Sequence, residues 1–155
     1  MSNDLVDIGI YFSSGRSFTI NDNILTFDDG FQPTEAQKQE AILEMTKKRK
    51  IQEIDNKYSI MRGKLLTDGA LMSLVYSLKL EEAKAFHANE QGQYLLLQAS
   101  VDAGEVQTLE AAAQMIQDKE TALKSILAGL ETERLGLKVK VKNAINLEEL
   151  EGIKL

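Results

Sequence analysis

Between Thr108 and Ile145 an apolar residue returns every seven positions, at Leu109, Ile116, Leu123, Leu130, Leu137 and Ala144. A sparser second row falls at Ala112, Leu127 and Val141. Seven residues are close to two turns of α-helix, so these side chains share one stripe of a long helix. A stripe of this kind has to be buried, in a bundle or in a seam between chains. Glu120 and Arg134 interrupt the secondary row. That suits a bundle helix, packed against the helix expected at residues 70–88, better than a long autonomous coiled coil. Thr108 caps the start, and Lys138, Lys140 and Lys142 complement the negative end of the helix dipole.

The N-terminal stretch has a different period. Val6, Ile8, Ile10 and Phe12 alternate with Asp7, Gly9 and Tyr11, which is strand spacing. Ser13-Ser14-Gly15-Arg16 is turn material, Phe18 and Ile20 alternate again, and Asn21-Asp22-Asn23 turns the chain into a third strand from Ile24 to Phe27. Residues 5–27 are thus expected to form a small antiparallel β-meander. Three short strands are marginal alone and need a packing partner or another chain. Tyr11, Phe12, Phe18, Phe27 and Phe31 all precede the single proline, Pro33. Residues 1–32 therefore read as a β-rich docking segment and residues 33–155 as a helical domain. Ile10, Tyr11, Phe12, Phe18 and Phe27 are the expected partner contacts, because exposed aromatics anchor interfaces.

The helical part can be punctuated from its caps. Thr34 with Gln37 forms a capping box that opens a helix from Glu35 to about Arg62. Its apolar stripe is thin, which places it on the outside of a bundle. Gly63 and Thr67-Asp68-Gly69 predict a break. The next helix runs from about Ala70 to Ala88, with Leu71, Leu74, Val75, Leu78, Glu82 and Phe86 on one face and Leu80 and Ala83 flanking. A shorter helix spans Tyr94 to Ala103 and ends at Gly104. Asn146 with Glu149 is another capping box. The expected fold is mainly α (α+β): the meander, then a three- to four-helix bundle with one long C-terminal helix.

Composition narrows the chemistry. The 155 residues are enough for one core, and 43% hydrophobic with 27% charged residues describes a folded chain. A net charge of −6 argues against general affinity for nucleic acid or anionic membrane. There is no Cys, hence no disulfide and no thiolate metal site. No signal peptide is read at the N-terminus, and no apolar run approaches the ~20 residues of a membrane helix.

The remaining motifs have ordinary explanations. Lys47-Lys48-Arg49-Lys50 is a solvated helix face balanced by Glu40, Glu44, Glu53 and Asp55. Asn21-Asp22-Asn23 and Asp28-Asp29-Gly30 lack the bidentate Glu of a calcium loop and are turn residues. His87, the single histidine, has no nucleophile beside it. The pairs and triplets of Glu at 81–82 and 148–151 lack the Glu-x-x-His partners of a di-metal bundle. No catalytic residue, metal ligand or cofactor site is therefore expected, and the chain reads as a non-enzyme.

The order of helical residues resembles a known group. It runs Ile54-Asp55…Tyr58, Tyr76…Lys79…Glu82-Ala83…Phe86, Ala99 to Gly104, Ala112-Ala113…Ile116…Lys119, Leu130-Glu131…Arg134…Lys138 and Ala144…Leu147-Glu148-Glu149-Leu150. This succession, from about Lys50 to Ile153, resembles the C-terminal helical region of tail-fibre-assembly or tail accessory proteins of tailed bacteriophages. The resemblance implies a protein that helps tail fibres mature or sits on the tail as a minor component. Its partner would be a tail-fibre or baseplate protein, with a homo-oligomer also possible, and its place the host cytoplasm during assembly or the virion tail. The alternative is a helical regulatory or nucleic-acid-binding protein using Lys47 to Lys50 and the lysines of residues 138–142.

Overall fold

A computed structural model describes residues 3–65 and 70–155, with the side chains of Asn3, Ala70 and Leu71 outside that description. The fold is mainly helical with one two-stranded antiparallel hairpin near the N-terminus, the class expected from the sequence. Its elements are α1 (Asn3–Phe12), β1 (Phe18–Asn21), β2 (Ile24–Phe27), α2 (Glu35–Gly63), α3 (Ala70–His87), α4 (Leu95–Asp102), α5 (Leu109–Asn143) and α6 (Leu147–Glu151). The predicted break at Thr67-Asp68-Gly69 lies outside the described residues.

The caps read from the sequence are in place. Thr34 Oγ1 accepts from the Gln37 amide at 3.3 Å while Gln37 Oε1 accepts from the Thr34 amide at 2.9 Å. This reciprocal pairing satisfies two amides at the start of α2. Thr108 Oγ1 accepts from the Ala111 amide at the head of α5. Asn146 Oδ1 accepts from the Glu149 amide, and Glu149 reaches back to the Ile145 amide. Gly104, at φ +74°, follows α4 in the left-handed conformation that ends many helices.

The expected first strand is instead helix α1. Ten residues are too few for periodicity to arbitrate, because Leu5, Ile8 and Phe12 also fit a helical stripe. What decides is burial: Asp7, Ile8 and Gly9 are consecutive and all buried, which no strand with a wet face permits. The two remaining strands pair Phe18 with Phe27 and Ile20 with Leu25 on one face. Between them Asp22 (φ 50°) and Asn23 (φ 62°) form a two-residue loop of type I′, the connection that matches strand twist.

By contact the chain divides into two compact units, Met1–Lys57 with Arg134–Leu155, and Tyr58–Glu133. In the first, Ile8 and Phe27 are buried at the hairpin, and Ala41, Ile54, Val141, Ala144 and Leu150 are buried on α2, α5 and after it. In the second, Ala83, Leu97, Ala112, Ala113 and Ile116 form the core. Tyr76, Leu80, Phe86, Tyr94, Val106, Leu109 and Met115 pack around it. The heptad stripe of α5 thus packs against α3 through its first third, as its spacing predicts.

α3 itself is turned from the expected orientation. Tyr76, Leu80 and Ala83 face the core, whereas Leu74 and Leu78 are exposed. Both sides of this helix are apolar, so hydrophobicity alone could not choose between them.

Candidate interaction surfaces

At the N-terminal end, α1 and the hairpin gather the aromatics predicted as contacts. Phe12 meets Phe27 edge-on at 6.4 Å, Phe27 meets Phe31 at 5.4 Å, and Phe18 lies 6.1 Å from Phe27. Such tilted and perpendicular arrangements suit ring quadrupoles. The cluster is therefore first a small core. Phe27 is only 2% exposed and offers no surface to a partner. Tyr11, Phe12 and Phe18 are half-buried, and Ile10 is 47% exposed. Ile24, outside the five expected contacts, is 65% exposed beside the hairpin turn.

Polar groups lock this end. The Arg16 guanidinium sits 4.4 Å over the Phe31 ring and its Nε donates to Asp29 at 2.6 Å. The Phe31 amide and then Arg16 hold the Asp29 carboxyl below its ordinary pKa. Asp22, Asn23 and Asp29 are all turn residues here, as their composition suggested.

Two of the four basic residues of the run on α2 are paired within their own unit. Arg49 pairs with Asp7 at 2.7 Å and Lys47 with Glu44 at 2.8 Å. Further along, Lys138 and Arg134 converge on Asp55 at 2.9 and 2.5 Å. The Lys138 ammonium, then Arg134, lowers the Asp55 pKa.

In the Tyr58–Glu133 unit, polar side chains likewise do structural work. Glu82 Oε2 accepts from the Leu96 and Leu97 amides at 2.9 and 3.0 Å, capping α4, whose own cap residue, Tyr94, makes no such bond. Lys79 donates to buried Ser100 at 2.8 Å. Tyr58 donates to Glu133 at 3.1 Å, and burial followed by that carboxylate raises its phenol pKa. Glu120, which breaks the apolar row of α5, pairs with Lys124 at 2.8 Å. His87 is exposed at the end of α3, edge-on to Phe86.

Among the described residues no group of three or more His, Cys, Asp or Glu is placed to hold a metal. Among the same residues no helix is long and apolar enough to cross a membrane. What the surface does carry is large apolar side chains: Ile10 and Ile24 at the N-terminal end, Met72, Leu74, Val75 and Leu78 on α3, and Ile126, Leu135 and Val139 on α5. Comparison of the chain with protein-family models, curated proteins and solved structures gives no match.

Proposed function

We propose that this chain is a protein-binding module, and specifically a bacteriophage tail accessory protein that engages a tail-fibre or baseplate protein. The observation that carries the general reading is the number of large aliphatic side chains left in water on α1, β2, α3 and α5. Grouped exposed apolar residues of this kind mark association surfaces. The tail assignment rests on the resemblance of residues 50–153 to that group of proteins. In this reading the α1–hairpin end is a docking element, with Ile10 and Ile24 as its outward contacts and the phenylalanines as its rigid support. Such a protein acts as an assembly chaperone or stays as a minor virion component.

Co-purification with a tail-fibre protein encoded in the same genome tests the reading. Capture by the intact chain, and its loss in Ile10→Asp/Ile24→Asp, is the expected result. Mass spectrometry of purified virions then separates a departing chaperone from a resident component. The nucleic-acid alternative predicts salt-dependent retention on DNA or RNA. It gains little from α2, where Lys47 and Arg49 already hold carboxylate partners.

A further inference from the structure

Between α3, α5 and the loop that precedes α5, the Tyr58–Glu133 unit holds a cleft of about 130 Å³ that its own side chains leave unfilled. α3 lines it with Met72, Val75, Tyr76 and Lys79, which share one face at spacings of three and four residues. α5 adds Ile116 and, one turn later, Lys119, and the loop adds Glu105. Ile116 is 3% exposed and is the most buried part of the wall. The Tyr76 hydroxyl is spent on the Ile116 carbonyl at 3.3 Å. Two ammonium groups and one carboxylate are therefore the polar groups left to meet a ligand.

Charge is unevenly matched there. Lys79 is half-buried and its ammonium donates to the neutral Ser100 hydroxyl at 2.8 Å; among the described residues no carboxylate pairs with it. An ammonium has three N–H donors, and one held partly out of water gains most from an anion. The nearby carboxylates are committed elsewhere. Glu82, one turn on, accepts from the Leu96 and Leu97 amides, and Glu120 holds Lys124 at 2.8 Å. Lys119 has Glu105 at 3.8 Å, too far for a hydrogen bond. The lining is thus net positive, in a unit that from Tyr58 to Glu133 carries six Lys or Arg against eleven Asp or Glu.

We infer that this cleft binds a short aliphatic carboxylate. The carboxylate pairs with Lys79 and Lys119, and the stem lies against Ile116, Val75 and Met72. Volume sets the length: a cavity of roughly 150 Å³ holds benzene, so about six non-hydrogen atoms fit here, a carboxylate with three or four carbons behind it. The apolar wall disfavours a bare inorganic anion, which would lose water without burying apolar surface. The acidic remainder of the unit repels polyanions and leaves a single negative charge as the preferred one. Such a group arrives either as a free acid or as the C-terminal residue of a partner chain. The inference goes beyond the protein-binding reading and does not depend on it.

Amide NMR of the full chain titrated with sodium butyrate tests it. Shifts should saturate with a Kd on the order of 1 mM and gather at residues 72–79, 105 and 116–119. Butyramide, of the same shape without the charge, should bind about tenfold more weakly or worse. Lys79→Met keeps the stem and removes the ammonium, and should weaken butyrate by about tenfold, whereas Lys79→Arg retains it. Glu105→Gln removes the competing carboxylate and should tighten butyrate about two- to threefold, a response that a merely structural Lys79–Ser100 contact would not give. A peptide ending in valine distinguishes the sources. Tighter binding than butyrate, lost on amidation, assigns the carboxylate to a partner's C-terminus, and weaker binding assigns it to a free acid; both uphold the site. Equal binding of butyrate and butyramide, affinity unaltered by Glu105→Gln and by a folded Lys79→Met, or no saturable shift up to about 50 mM butyrate overturns the inference.

Discussion

Asp7 on α1 is 4% exposed, and both of its carboxylate oxygens accept from one guanidinium nitrogen of Arg49 on α2, at 2.8 and 2.7 Å across 42 residues of sequence. A buried carboxylate without its cation is costly, whereas removing both partners is much less so. Arg49→Met is expected to lower unfolding free energy by ~2–3 kcal/mol, at the lower end because Arg49 itself is half exposed. Asp7→Leu/Arg49→Met should recover most of the loss. Urea unfolding of the four proteins in the cycle measures it.

Gly9 and Gly136 predict opposite responses to the same substitution. A Cβ at Gly9 would stand 2.4 Å from the Phe18 ring, while at Gly136 nothing lies within 4 Å. Gly136→Ala should gain up to about 1 kcal/mol from helix propensity alone. Gly9→Ala makes the same gain in α1 but forces the ring to move, and should lose ~1–3 kcal/mol net. Phe18→Leu in the same chain should relieve part of that. Thermal melts of the single and double variants decide the signs.

The acid response should centre on Asp55. Its pKa is depressed in the folded chain by Lys138 and Arg134, from an ordinary value of 3.8. A depressed carboxylate stabilises the fold above its unfolded pKa, and that contribution is lost as pH falls below 3.8 toward the folded value. Stability measured at pH 7 and again below pH 4 should drop more in the native sequence than in Asp55→Asn, which starts lower and falls less. Asp29 and Glu120 are shifted in the same direction and leave a residual slope.

The hairpin loop offers a gain. Both Asp22 and Asn23 have positive φ, and Asn-Gly or Asp-Gly is the favoured pair for that geometry. Asn23→Gly should stabilise the α1–hairpin end by ~0.5 kcal/mol, and Asn23→Val should destabilise it by about 1–2 kcal/mol. Amide exchange of Asp28, whose N–H donates to the Ser17 carbonyl at the open end of the hairpin, reports on both variants.

Features encoded within a few residues were readable from the sequence. The Thr34–Gln37 and Asn146–Glu149 boxes, the Gly104 stop and the Asn21-Asp22-Asn23 turn all stand where their local chemistry put them. What escaped depends on distant partners. The Val6–Phe12 alternation reads as a strand, whereas α1 depends on partners distant in sequence: Arg49 pairs with buried Asp7, and the Phe18 ring packs over Gly9. Glu82 caps α4 from another helix, so no spacing rule could announce it. α3 is apolar on two sides, and the side that turns inward is the one that sets Ala83 among Ala112, Ala113 and Ile116, residues far from it in sequence. Of the five expected contacts, Phe27 is a strand aromatic that the fold buries for its own core.

The central claim is that this protein works by touching another protein through aliphatic side chains it leaves in water. Calorimetric titration of the intact chain with a purified bacteriophage tail-fibre protein encoded in the same genome, beside Ile10→Asp/Ile24→Asp, tests it most directly. The account predicts saturable binding by the intact chain and at least a tenfold weakening in the variant, as expected for loss of an anchor. Binding of equal strength by both, or no heat of binding from either at micromolar concentration, would contradict it.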